Sequence, residues 1–334
     1  MPEMPAVNQV KSNYQEIKQE PAATTSTQSA EFKKYPRLRE LIGNTPLLDI
    51  TSMMPRPNKH GVKVQVLGKA EFMNPGLSHK DRIITNILDK AEKAGKIKPG
   101  SVLLAASSGN TGSSLSMIAA MRGYKAVVIT NDKCSRETQD AIRMYGARLI
   151  VAKPGQDYMK MELEYGKENP SWFMVNQYDN LDNPEAHYKT TGPEIYEQTN
   201  GTITHFVMGA STGGTISGVG KYLKEKNQDV KVVLVDPVGS VLKGYQETGL
   251  VIPAHKKKYF VEGVGKGSVP GAYDRNQIDS CIQVNDLESF AMCHALAMQE
   301  GISVGGSAGL NVFGALKVAE SVTEPAVIVT LLCD

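Results

Sequence analysis

The sequence predicts an α/β protein of two three-layer αβα units whose sheets are mostly parallel, and three observations lead there. Short runs rich in Val, Ile and Leu alternate with stretches whose apolar residues recur at helical spacing, a β–α–β order that gives parallel strands covered on both faces. The alternation comes in two blocks, the second resuming after Pro193, and 334 residues with 41% hydrophobic content can fill two joined cores. Loops of Gly, Ser, Thr and Asn follow the strands, at the carboxyl ends where open α/β sheets bind ligands.

In chain order, residues 1–34 are rich in Pro, Gln, Glu, Ser and Thr with no apolar period and read as a disordered tail. Order is expected from Tyr35. Gly43-Asn44 reads as a turn before a strand at Leu47 that Val62–Leu67 could pair with. Asn74-Pro75-Gly76-Leu77-Ser78-His79-Lys80-Asp81-Arg82 delivers a lysine from a loop onto a helix, since Ile83, Ile84, Ile87, Leu88 and Ala91 hold one helical face and Ser78 is placed to cap it. Strands follow at Val102–Ala105, Ala126–Ile129 and Leu149–Val151, with helices at Ser113–Met121, closed by Gly123, and Ser135–Tyr145, closed by Gly146. The second block has strands at Phe206–Met208, Val232–Val235 and Ala326–Val329 and helices at Gly214–Lys224, Leu287–Gln299 and Ser307–Ala319.

Composition narrows the function. A net charge of +2 does not call for nucleic acid, and Lys256-Lys257-Lys258 reads as a solvated loop. Cys134, Cys281, Cys293 and Cys333 form no C-x-x-C pair, so neither a zinc site nor a disulfide framework is signalled. Without an apolar leader or an 18-residue apolar run, neither secretion nor membrane spanning is expected, and a cytoplasmic protein is the default.

Chemistry points to Lys80. An amine on the first turn of a helix can be partly desolvated and made nucleophilic, as Schiff-base chemistry requires, although a solvated surface lysine is the commoner case. Three loops strengthen the reading. Ser107-Ser108-Gly109-Asn110-Thr111-Gly112 and Ser211-Thr212-Gly213-Gly214-Thr215 each lead from a strand into a helix N-terminus, and Gly305-Gly306-Ser307 opens a third helix. Such loops offer N–H groups and hydroxyls to an anion, with glycines that permit close approach. Neither a Walker loop nor a dinucleotide G-x-G-x-x-G is present.

Together, Ile42–Leu47, the Asn74–Arg82 segment, Ser108–Gly112, Thr212–Thr215 and Gly305–Gly309 resemble the fold type II pyridoxal-phosphate enzymes, in the branch of cysteine synthase and cystathionine β-synthase. The resemblance runs from about Tyr35 to the last residue. It implies that Lys80 carries pyridoxal 5'-phosphate as an aldimine. Asn110 would touch the ring hydroxyl, Ser211, Thr212, Gly213, Gly214 and Thr215 the phosphate, and Ser307 the pyridine nitrogen. Ser107, Ser108, Thr111 and Gln177 would hold the substrate carboxylate, with Tyr178 and Lys266 on the substrate side. It further implies a larger cofactor domain of residues 35–79 and 190–334, a smaller mobile domain of residues 80–189, and a homodimer.

Tyr178, Ala186-His187-Tyr188 and Glu262 are similar to the cystathionine β-synthase form, whereas Gly192-Pro193-Glu194-Ile195 is nearer the cysteine synthases. Ser211 stands where the phosphate loop has Gly, Ala105-Ala106 replaces Glu-Pro, and Lys266 replaces a tyrosine. The chain stops within its last strand, short of the family's further turn and helix. No Cys or His precedes Tyr35 and nothing follows Asp334, so neither haem nor a nucleoside-binding regulatory module is expected. The resemblance implies β-replacement on serine, or an activated serine, by a thiol, most simply homocysteine. A cysteine synthase using sulfide and a catalytically weak sensor are the alternatives.

Overall fold

Two separate sheets organise the chain in a computed structural model, which describes residues 35–132, 134–253 and 257–334. The tail expected at residues 1–34 and the His255–Lys256 part of the basic run lie outside the described residues. In the four-stranded sheet, β3 (Val102–Ala106), β4 (Lys125–Thr130), β5 (Arg148–Val151) and β6 (Phe173–Met174) lie in the order β5-β4-β3-β6, all parallel. The six-stranded sheet contains β1 (Leu47–Asp49), β2 (Val64–Ala70), β7 (His205–Gly209), β8 (Lys231–Pro237), β9 (Ser280–Val284) and β10 (Ala326–Leu332). Its order is β1-β2-β10-β7-β8-β9, parallel except for the antiparallel edge pair β1–β2.

Each sheet buries both faces. On β7, β8 and β10, Val207, Val233, Val235 and Ile328 face one way, onto Leu310 and Val312 of α10 (Gly306–Ser321) and Leu296 of α9 (Asp286–Glu300). Their alternates Phe206, Met208, Val232, Leu234, Val329 and Leu331 face the other, onto Ile216, Val219 and Leu223 of α7 (Gly214–Lys226). In the smaller sheet, Leu103, Ala105 and Val128 pack on Ile83, Ile84 and Ile87 of α1 (Lys80–Lys93) and Leu115 and Ile118 of α2 (Asn110–Arg122). Leu104, Val127 and Ile129 meet Tyr158, Met161 and Tyr165 of α4 (Tyr158–Glu168) on the opposite side. Each fully buried aliphatic side chain contributes about 1.5–3 kcal/mol, so the two-sided apolar pattern is what selects the three-layer arrangement.

The expected elements are present, with corrections at their ends. Helix α2 closes on Gly123 in the left-handed conformation (φ 73°) and α3 (Arg136–Met144) is capped by Ser135, whose side chain accepts from Thr138 N at 3.2 Å. The cap of α1 is His79 rather than Ser78; Ser78 Oγ accepts from Lys80 N at 3.3 Å. Pro193 is not a break. It sits in the first turn of α6 (Thr191–Gln198), as Pro184 does in α5 (Asp182–Lys189), where the missing N–H would lack an intrahelical partner anyway. One short helix, α8 (Leu242–Thr248), completes the set used below. No helix among the described residues is long and apolar enough to cross a membrane.

Candidate active site

The Lys80 loop is fixed from below by a buried charge network. Arg82 donates from Nε and Nη2 to both carboxylate oxygens of Glu71 (2.7 and 2.8 Å), and from Nη1 and Nη2 to both of Glu194 (2.6 and 2.8 Å). Lys69 Nζ adds a 2.7 Å contact to Glu194. Asn74 Nδ2 donates to Glu71 at 2.8 Å while its Oδ1 accepts from Gly43 N at 2.8 Å, and Thr45 Oγ1 donates to Glu71 at 2.6 Å. The Ile42–Leu47 motif therefore serves the site indirectly, by holding the loop that carries Lys80. Burial opposes the Glu194 charge, but Arg82 and Lys69 win and hold its carboxyl down to about 2. Such a network is costly to break on one side, because it leaves a buried charge unpaired.

Lys80 stands at the junction of two connected spaces. The larger is a cavity of about 530 Å³ with Lys80, Ser107, Ser108, Asn110, Thr111, Gln177, Tyr178, Ser211, Thr212 and Ser307 in its wall. The smaller, about 20 Å³, is lined by Lys80, Ser211, Thr212, Gly213, Thr215 and Ser307, with Gly263, Asn311 and Cys333. Of the residues singled out in the sequence, Gly214 and Lys266 line neither. Gly214 is the first residue of α7, its N–H donating to Thr212 Oγ1 at 3.3 Å. Lys266 lies behind Tyr178, its ammonium 4.0 Å from the ring centroid and 3.8 Å from Met159 Sδ.

The Ser211–Thr215 loop is shaped for an anion. Gly213 has φ 81°, and a Cβ there would come within 2.6 Å of Tyr273 Cα, so only glycine fits. The following N–H groups open a 13-residue helix, whose N-terminus favours negative charge. Thr215 Oγ1 pairs with His187 Nε2 at 3.1 Å and Thr212 Oγ1 accepts from Asn183 Nδ2 at 3.0 Å, so α5 steadies the loop. Ser307 opens α10 and shares a hydrogen bond with the Cys333 thiol, whose burial pushes it up to about 11 and keeps it neutral. A helix N-terminus, a cradle no Cβ could enter, a nearby amine and a neutral hydroxyl are a donor set that fits a phosphorylated pyridine aldehyde.

The opposite wall is differently built. Thr111 Oγ1 donates to Gln177 Oε1 at 2.7 Å, and Gln177 Nε2 donates to Ala106 O at 2.9 Å. Ser107 Oγ accepts from Gly109 N at 3.2 Å and Gly112 N at 3.1 Å, and Asn110 Nδ2 donates to the main-chain oxygen of Asp334 at 3.0 Å. Tyr178 is half-buried, desolvation of its hydroxyl raises it well above the ordinary range, and it pairs with Tyr158 at 3.2 Å.

Burial also acts on the amine. It lowers Lys80 to about 8, against the raising influence of Cys333 and Glu71. Three further groups touch this chemistry: His79, which contacts Lys80 Nζ through Nε2; His187 beneath the cradle; and Cys333 beside Ser307. His79 stood inside the quoted motif, so its adjacency to the lysine was the available signal; nothing in the sequence brings Cys333 to Lys80. No His, Cys, Asp or Glu group among the described residues could hold a metal ion.

Comparison with known proteins agrees with this geometry. The family described as pyridoxal-phosphate dependent enzymes matches residues 38–334. The chain is 37% identical to the cystathionine β-synthase of Apis mellifera over 318 residues, 93% of this chain and 62% of that protein. It thus spans about three-fifths of that relative's length. It is 36% identical to a cysteine synthase of Dictyostelium discoideum, covering 88% of this chain and 80% of that one. Among solved structures, O-ureido-L-serine synthase superposes with a TM-score of 0.80 at 32% identity, covering 90% of this chain and 92% of that one. A hydrogen sulfide-producing enzyme from Fusobacterium nucleatum also gives 0.80 at 32% identity, covering 90% and 98%.

Proposed function

Since the chain belongs to the family of pyridoxal-phosphate-dependent enzymes, we propose that it performs β-replacement on serine or an activated serine by a thiol, most simply joining serine to homocysteine. The observation that carries this is Lys80 at the junction of an anion cradle and a polar wall able to take a carboxylate. The cofactor, when bound, supplies the electron sink for charge that develops at Cα. The protein orients and protonates. Ser211–Thr215 would hold the phosphate, Ser307 would face the ring nitrogen without charging it, and Asn110 would reach the ring hydroxyl. Ser107, Ser108, Thr111 and Gln177 would bind the amino-acid carboxylate. The Lys80 amine, lowered to about 8 by burial, suits a base that takes and returns a proton near neutral pH.

In this reading residues 80–189 are a smaller unit that closes on the substrate, and the enzyme works as a cytoplasmic homodimer. A second reading, cysteine synthesis from sulfide and an activated serine, is favoured by the likeness to the Dictyostelium discoideum protein, of which the chain covers 80%. Assays of serine and O-acetylserine, each against homocysteine and sulfide, decide between them. The first reading expects cystathionine from serine and homocysteine as the fastest product. Faster turnover of O-acetylserine with sulfide would replace it by the second, and no turnover of any pair would leave a ligand-binding relative.

A further inference from the structure

Two buried histidines flank the Lys80 loop, their ring centroids 5.7 Å apart, and they are satisfied differently. His187 uses both nitrogens, Nδ1 with Thr191 Oγ1 at 2.8 Å and Nε2 with Thr215 Oγ1 at 3.1 Å. That is how a structural histidine is held. His79 pairs only through Nε2, with Lys80 Nζ, while its Nδ1 is buried without a hydrogen-bond partner. Leaving a buried polar atom unpaired costs about 1–3 kcal/mol, and the one hydrogen-bonding contact the imidazole makes in return is with the amine.

No carboxylate lies within ion-pairing range of Lys80 Nζ among the described residues. Glu71, the carboxylate whose charge reaches the amine, is occupied by Arg82, Glu262 and Asp334 share the cavity wall without pairing with it, and the Cys333 thiol is neutral. His79 is neutral too: burial, and then its neighbours Lys80, His187 and Arg82, hold it well below its ordinary range. We propose that His79 is a positioning residue for Lys80, an uncharged acceptor that holds the amine toward the junction of the two cavities and lets it stand there without its proton. Neutral imidazole, carrying its own proton on Nδ1, accepts from the ammonium and from the amine alike in geometry; it favours the ammonium by the strength of one charge-assisted hydrogen bond, far less than a carboxylate would. A carboxylate in its place would pair with the ammonium and hold it charged, raising its pKa by about 1–3 units. The reaction assigned to Lys80 under the proposed function needs the neutral amine, first as nucleophile toward the cofactor and then as base, and the inference rests on that reading.

The test uses the cofactor-free full chain. Lys80 is acetylated with limiting acetic anhydride across a pH series and quantified by peptide mass mapping, which reports the fraction of neutral amine. The wild type should titrate with a midpoint near 8. His79→Gln, which keeps an uncharged acceptor, should stay within about half a unit, and His79→Glu should move the midpoint up by about 1–3 units. Should the Glu variant not fold, His79→Leu gives the reading instead: an ammonium without its acceptor should titrate about one unit lower. An unmoved midpoint in the Glu or Leu variant, or a Gln variant that shifts as far as either, would overturn the proposal. Labelling needs no cofactor, so its failure is distinct from failure of the proposed function, which would show as an absence of cofactor on Lys80.

Discussion

The two walls that meet at Lys80 differ in how much of their hydrogen-bonding capacity is already spent. The cradle on the six-stranded side is steadied from outside by His187 and Asn183, while the backbone N–H groups of its helix N-terminus remain the recognition elements. On the four-stranded side Ser107 bonds within its own loop, and Thr111 and Gln177 bond to each other and on to Ala106 O. The first wall is preformed for an anion. The second must exchange internal bonds for bonds to a substrate, and that exchange suits the half expected to adjust when the small, variable ligand arrives.

The largest effect should come from the seam between the walls. Arg82→Met strands the buried Glu71 without its cation and leaves Glu194 with Lys69 alone, and should lower stability by about 3–5 kcal/mol, read by denaturant unfolding. If the loss is near zero, the network does not anchor the Lys80 loop. Within the cradle, Gly213→Ala forces a side chain into φ 81° and against Tyr273, at about 2 kcal/mol or more. Cofactor affinity should fall roughly thirty-fold while the protein stays folded. On the opposite wall, Gln177→Ala should leave cofactor affinity unchanged and raise KM for the amino acid about ten-fold, the cost of one unpaired hydrogen-bonding group. A Gln177→Ala variant that loses the cofactor instead would erase the distinction between the walls.

Lys266 gives the smallest effect. Burial lowers its ammonium to about 8, against Asp157, and it has no carboxylate within ion-pairing range among the described residues. Its place over the Tyr178 ring couples it to the substrate wall without lining the cavity. Lys266→Tyr should therefore raise KM for an anionic partner such as homocysteine roughly five-fold and leave that for sulfide nearly unchanged. Equal changes for both would reduce Lys266 to a packing role.

Apolar period made the sheets and the longer helices legible, because strands buried on both faces leave uninterrupted Val, Ile and Leu runs. It failed at β6, two residues long, and at the edge strand β9, whose half-exposed Ser-Cys-Ile-Gln-Val carries little pattern. Helices α5 and α6 are short and each carries a proline in its first turn, so their apolar period is weak. Helix α4 was readable and passed over: Asp157 caps it, and Tyr158, Met161 and Tyr165 mark its buried face. In the site, loop chemistry pointed to Lys80 and to both walls, since small residues before helices have few other uses. The Arg82 network, His79 and Cys333 escaped because their meaning lies in contacts between segments far apart in the chain.

The central claim is that Lys80 is the group that joins the anion cradle to the substrate wall by carrying the cofactor. Borohydride reduction of the protein loaded with pyridoxal 5'-phosphate, followed by peptide mass mapping, tests it most directly. The account predicts one phosphopyridoxyl group, on the peptide containing Lys80, and none in Lys80→Ala. A stable label on any other lysine, or undiminished labelling of the Ala variant, would contradict it.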